Sequence, residues 1–201
     1  MSSPMDLLTQ ALGGDALSQL SGALGADSGA TSKAVSAALP MLMGALAKNA
    51  SSSNGAGALA GALDRDHDGS VLDDLGGFLG GGQASASMGD GILKHVLGGR
   101  RGVAEGQLSQ VSGLDSASTG KLLSMLAPLV MGALGRSQRS GGVDISDLAG
   151  MLSGERRRAE AAAPSGVGGM LSSFLDADGD GDVMDDAVKM GGKLLGNLFK
   201  K

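Results

Sequence analysis

Apolar residues recur along this chain with a helical period, in short runs separated by glycine. Met5, Leu8 and Leu12 share one face of a run that opens with Ser3, Pro4 and Asp6, which suit an N-cap, a first helical position and an acidic first turn. Leu17, Leu20 and Leu24 predict a second helix, stopped at Gly25 as a C-cap. Val35, Ala38/Leu39, Leu42 and Leu46 predict a third and longer one, in which Pro40 removes one backbone hydrogen bond and should kink the axis. Gly57–Leu63 and Val71–Leu79 predict a fourth and a fifth, with an acidic loop between them.

The pattern then returns. Leu39-Pro40-Met41-Leu42-Met43-Gly44-Ala45-Leu46-Ala47-Lys48 matches Ala127-Pro128-Leu129-Val130-Met131-Gly132-Ala133-Leu134-Gly135-Arg136 at an offset of 88. The same register pairs Leu20 with Leu108, Asp27 with Asp115, Thr31 with Thr119 and Lys33 with Lys121. At an offset of 112, Leu63–Asp74 matches Leu175–Asp186. The expected fold is therefore all-α, with two diverged repeats of short helices, each containing a helix–acidic loop–helix unit. In the second copy the helices fall at about 89–97, 103–112, 118–136, 144–152 and 183–199. The expected organisation is a first helical repeat over 1–79 with its acidic loop at 64–74, a Gly/Ser linker over 80–88, and a second helical repeat over 89–152. A basic and alanine-rich insertion over 153–169 and a final segment over 170–201, with an acidic loop at 176–186 and a C-terminal helix, complete it.

Composition supports the helices and narrows the function. The chain of 201 residues has 37 Gly, 30 Leu, 28 Ala and 25 Ser, but 3 Phe and no Trp or Tyr. Strand-favouring types are too few for a substantial sheet. Without Trp or Tyr there is no aromatic platform for sugars or unpaired bases, and without cysteine there are no disulfides, thiolate metal sites or Cys nucleophiles. Gly57/Gly61, Gly77/Gly81 and Gly192/Gly196 repeat a Gly-x-x-x-Gly spacing, expected to let helices approach closely inside a bundle or to support self-association. The uncharged stretches Ala34–Ala47 and Leu122–Gly135 hold 14 residues each. As helices they reach about 21 Å, short of the ~30 Å of a bilayer core, so no transmembrane segment is expected. Met1–Asp6 lacks the basic start of a secretory signal, which makes the cytoplasm the expected location.

The charge is concentrated. The formal net charge is −5, yet residues 64–74 and 176–186 alone carry 11 of the 21 acidic side chains, which leaves the remainder mildly basic. Asp64, Asp66 and Asp68 occupy positions 1, 3 and 5 of a loop with Gly69 at position 6 and Ser70 offering a carbonyl at 7. Asp176, Asp178, Asp180, Gly181 and Asp182 repeat the arrangement. Alternating aspartates folded back at a glycine wrap several oxygens around one point, as a hard cation with six to eight ligands requires. Position 12, a glutamate in the full EF-hand, is Leu75 or Ala187, so Asp73 or Asp74 and Asp185 or Asp186 would have to close the two sites. These shortened loops resemble the DxDxDG calcium-binding repeats of some bacterial surface proteins. Ca²⁺ is the expected ion and Mg²⁺ the alternative; the competing reading is an Asp-rich turn satisfied by backbone amides and water.

Little else carries chemistry. His67 is expected to point outward and His95 to be partly buried and structural. There is no nucleophile elbow, phosphate loop or HExxH, so no enzyme is expected. Gly91-Ile92-Leu93-Lys94-His95-Val96-Leu97-Gly98-Gly99, Leu108-Ser109-Gln110, Ser112-Gly113-Leu114 and Leu126–Gly135 resemble the YidB-like bacterial family, domain of unknown function 937, with a likeness running from about Met5 to Leu198. The resemblance implies a bacterial, all-helical protein, some of whose shorter relatives have a homeodomain-like fold. The expected function is a non-enzymatic protein whose two loops bind calcium and stabilise the helical repeats. The alternative is a metal-independent protein that self-associates, as a homo-oligomer, or interacts with partners. A nucleic-acid or membrane-surface adaptor using Arg100-Arg101 and Arg156–Arg158 ranks last, because no predicted helix carries a cluster of bases.

Overall fold

The computed structural model describes residues 3–81 and 83–141, together with 150 and 154. Among them the chain forms eight α-helices and two 3-10 turns, and no strand, in agreement with the all-α expectation. The helices are α1 (Pro4–Ala11), α2 (Asp15–Leu24), α3 (Ser28–Asn49), α4 (Ser53–Asp66), α5 (Leu75–Gly80), α6 (Gln83–Val96), α7 (Arg101–Ser112) and α8 (Ser116–Gly141). Apart from Gly150 and Gly154, the helix predicted at 144–152 and the basic insertion lie outside the described residues, as do the acidic loop at 176–186 and the helix predicted at 183–199.

Local signals set most of the helix ends. Ser3 Oγ accepts from Asp6 N–H while the Asp6 carboxylate accepts from Ser3 N–H, both at 3.1 Å, a reciprocal capping box with Pro4 at the first helical position. Asp27 caps α3 by accepting from the N–H groups of Gly29 and Ala30. At an offset of 88, Asp115 accepts from Ser118 N–H ahead of α8. Thr31 Oγ1 donates to the Asp27 carbonyl at 2.9 Å and Thr119 Oγ1 to the Asp115 carbonyl at 2.8 Å. Gly25 and Gly113, in the same register, end α2 and α7 at φ of 65° and 79°. A side chain is strained in that left-handed conformation.

Several boundaries differ from the sequence pattern. The segment assigned to a flexible linker at 80–88 is largely helical, because α6 begins at Gln83 and its apolar face has a surface to rest on. The fourth helix is longer at both ends than Gly57–Leu63: the Ser52 hydroxyl caps it at Gly55 N–H, and it runs through Asp66. The fifth is split. A 3-10 turn at Ser70–Leu72 precedes α5, whose cap is Asp74 accepting from Gly77 N–H.

A continuous apolar core joins the two halves. α6 lies along α8 in the most extensive helix pair, α1 rests on α8, and α7 rests on α3. Leu8, Leu20, Leu93, Leu108, Leu126 and Leu129 are fully buried, each contributing about 1.5–3 kcal/mol by removal from water. α3 and α8 contain the two stretches expected to be too short to span a bilayer, yet the helical segments Ser28–Asn49 and Ser116–Ser140, of 22 and 25 residues, are long and apolar enough to cross one by length and composition. Within this fold 78% of the apolar window of each is buried against other parts of the protein, as in a core helix. Both helices run on through their internal prolines, Pro40 and Pro128.

Among the described residues, the closest helix contacts do not fall at Gly57/Gly61 or Gly77; Gly192 and Gly196 lie outside them. A Cβ on Gly57 would meet open space, and one on Gly77 would meet the Asp74 cap rather than another helix. Gly89 on α6 is where a helix backbone touches its neighbour, since a Cβ there would overlap the Ser124 carbonyl of α8. Beside it, Arg101 bridges Asp90 at 2.8 Å and Glu105 at 2.7 Å, and Ser124 Oγ donates to Asp90 at 2.6 Å. The Ser124 hydroxyl, followed by the Arg101 guanidinium, holds the Asp90 carboxyl below the usual carboxylate range. Arg101, named in the adaptor reading, is thus engaged inside the fold.

Candidate functional site

The acidic loop at 64–74 is distributed over several local tasks. Asp64 lies in the last turn of α4, which runs through Asp66, so the loop proper begins only at His67. Asp68 Oδ1 accepts from Ser70 N–H at 2.9 Å, and the hydroxyl and backbone N–H of Ser70 keep its carboxyl below the usual value of 3.8. The Ser70 carbonyl, a predicted ligand, accepts from Asp73 N–H at 2.9 Å. Asp73 pairs with Arg136 at 2.7 Å, and Asp74 caps α5. No group of three or more His, Cys, Asp or Glu side chains placed to hold a metal ion occurs among the described residues. Asp176, Asp178, Asp180, Asp182, Asp185 and Asp186 lie outside them.

Arginines of α8 hold this loop in place. Arg136 Nη2 donates to the Gly69 carbonyl at 2.8 Å as well as to Asp73, and Arg139 Nη2 donates to the Asp64 carbonyl at 3.2 Å. The approach needs glycine on both sides. A Cβ on Gly135 would overlap the His67 carbonyl, one on Gly132 would crowd Val71, and Gly69 itself has φ of 89°. The charge of the exposed Asp73–Arg136 pair contributes about 0–1 kcal/mol, so the loop's position rests as much on this close packing as on the ion pair.

Next to the loop lies a cavity of about 860 Å³, bounded by the end of α3, by α4, by α6 and by one turn of α8. Leu46, Leu59, Val96 and Met131 are buried around it, Ile92 and Ala62 are half-buried, and Met88 stands at 53% exposure. Its polar lining is Asn49, Ser52, His67 and His95. Asn49 Nδ2 donates to the Val96 carbonyl at 2.9 Å and so ties α3 to α6 across one side. Neither histidine is where the sequence pattern placed it. His67 is half-buried in the lining because the loop turns it inward against the bundle, and His95 is exposed at the mouth with Nδ1 on the Gly91 carbonyl at 2.8 Å.

The signal for this cavity is present in the sequence but needs the packing to be seen. On α4, Gly55, Ala58, Leu59 and Ala62 fall at i, i+3, i+4 and i+7, a single face built mainly from small residues that leave space unfilled. On α6, Met88, Ile92 and Val96 form an i, i+4 stripe. Assigning 80–88 to a linker removes the first of these three from view.

These features define an all-helical fold, with one apolar core and a concave, mainly apolar cavity bounded by α3, α4, α6 and α8. The family model for bacterial proteins of unknown function, DUF937, matches residues 6–137, and the chain belongs to that family. No curated protein and no solved structure matches it.

Proposed function

We propose that this protein is a non-enzymatic binding module whose cavity takes up a small, mainly apolar molecule. The observation that carries the reading is the lining: a concave space within the ~300–1,000 Å³ usual for ligand sites, apolar in its depth, with a few hydrogen-bonding side chains around it. Because the lining contains no Cys, Asp, Glu or Lys among the described residues, the groups that commonly form acid–base or nucleophilic pairs are reduced to two histidines, a serine and an asparagine. The test uses N-phenyl-1-naphthylamine, an uncharged dye that brightens on leaving water. The chain has no Trp or Tyr to compete with it. Saturable brightening is expected, lost in Ala62→Phe, which fills the cavity, and kept in Val103→Phe, on an exposed side of α7. Far-UV circular dichroism establishes that each variant is folded. Brightening that never saturates, or that survives in folded Ala62→Phe, would sink the reading.

Calcium binding by the acidic loops is the second reading. It is favoured by one observation, the meeting of the Gly69 carbonyl and the Asp73 carboxylate at a single cationic group. Two loop oxygens meet there, and a divalent ion would have to displace the Arg136 guanidinium and draw the other carboxylates in. Calcium at a hundredfold excess over its Kd adds about 2.7 kcal/mol of stability, or roughly 5–10 °C in melting temperature. The full chain in millimolar Ca²⁺ should show that rise, and Asp64→Ala/Asp176→Ala should lose it. Identical melting in Ca²⁺ and in chelator would dispose of this reading.

A further inference from the structure

We infer that the molecule taken up by the cavity is an uncharged amphiphile, with an elongated apolar body and a hydroxyl or similar hydrogen-bond donor at one end; this rests on the cavity being a binding site. The lining holds no Lys, Arg, Asp or Glu among the described residues. A charged group at the mouth gives up part of its hydration and gains no Lys, Arg, Asp or Glu counter-ion from the lining, a fraction of the several kcal/mol that full burial costs. A neutral polar end costs far less and can be matched by the neutral side chains present.

Those side chains also specify which kind of polar end fits. Asn49 uses one of its two amide N–H groups on the Val96 carbonyl, which leaves the second as a donor and Oδ1 as an acceptor. The Gly91 carbonyl can only accept, so His95 Nδ1 carries the hydrogen and Nε2 of the neutral ring is an acceptor. Ser52 Oγ accepts from Gly55 N–H and keeps its own proton to donate. Two acceptors, Asn49 Oδ1 and His95 Nε2, and two donors, the second Asn49 N–H and the Ser52 hydroxyl, suit a hydroxyl, which both donates and accepts. A carboxylate, which only accepts, would face two acceptors. The arrangement sets the direction as well: Asn49, Ser52 and His95 are exposed, whereas Leu46, Leu59, Val96 and Met131 are buried. The polar end sits at the mouth and the apolar body points inward.

The experiment is displacement of N-phenyl-1-naphthylamine from the full chain by three ligands of equal chain length: decan-1-ol, decanoate and decylammonium, at neutral pH and below their aggregation limits. Decan-1-ol is expected to displace the dye at a concentration about tenfold lower than either ion. His95→Leu, checked for folding by far-UV circular dichroism, should lose about three- to tenfold in decan-1-ol affinity, the worth of one hydrogen bond, whereas Val103→Phe, outside the lining, should bind dye and decan-1-ol as the parent does. Displacement by decanoate or decylammonium as good as by the alcohol would overturn the inference while leaving the cavity as a binding site. A parent protein that fails to bind the dye would remove both.

Discussion

Gly89→Ala should lower the stability of the protein by about 3 kcal/mol, at the upper end of the usual range for overpacking. For a chain of this size that is roughly 6–12 °C in melting temperature. The cause is the directness of the α6–α8 contact. A Cβ at position 89 would overlap the carbonyl oxygen of Ser124 and crowd the carbon and Cα behind it. A flexible side chain could swing aside, but backbone cannot, so the two helices would have to separate. Separation would also open the Asp90–Ser124–Arg101 network, which lies at the same level and includes the buried Ser124. Gly91→Ala supplies the contrast from two residues away on the same helix. Its Cβ meets nothing within 4 Å, so the better helix propensity of alanine should raise stability by up to about 1 kcal/mol. Both variants can be followed by far-UV circular dichroism. A Gly89→Ala protein melting at or above the parent would show that the helices do not meet as closely as described.

The same contact shows what sequence patterns convey and what they omit. Signals acting within a few residues are legible: Ser3 with Asp6 at the start of α1, and Gly25 and Gly113 at the ends of α2 and α7. Each is closed by partners inside its own turn. The features that define the candidate site depend on partners far along the chain. Gly135 has to be glycine because of the His67 carbonyl, and Arg136 reaches back to Gly69 and Asp73. Nothing local distinguishes these glycines from Gly57 or Gly61, which obey a known helix-contact spacing and touch no other helix. The acidic loop is an intermediate case. Its sequence correctly marks a turn at Gly69, but α4 continues through Asp64 and Asp66, and the arginines of α8 were not foreseeable as partners for the rest. His95 is exposed rather than partly buried because α6 packs mainly on α8 and to a lesser extent on α3, and the histidine lies at the cavity mouth away from those contacts.

Leu20→Ala and Leu108→Ala, each alone, should cost about 2–5 kcal/mol and lower a single, common melting transition. The two leucines stand at matching positions of α2 and α7, 88 residues apart, and both are fully buried. If the halves were separate domains, each substitution would soften its own half and leave the other's transition in place. The packing argues otherwise. α1, from the first half, rests on α8 in the second, and α7, from the second, rests on α3 in the first. Neither half can open without exposing apolar surface of the other, and the buried residues of both fall in a continuous cluster. With a total stability of about 5–15 kcal/mol for an ordinary domain, the double variant would stand at the edge of unfolding. Differential scanning calorimetry distinguishes the cases. One peak in the parent and in both single variants, with calorimetric and van't Hoff enthalpies in agreement, is the expected result. Two resolved peaks, of which Leu20→Ala moves one and Leu108→Ala the other, would mean that the cavity lies between independently folding halves. The wall formed by α3 and α4 could then part from the wall formed by α6 and α8 without either unfolding. A cooperative core instead fixes the cavity's walls relative to each other, which is the preorganisation that a selective site for a small neutral molecule requires.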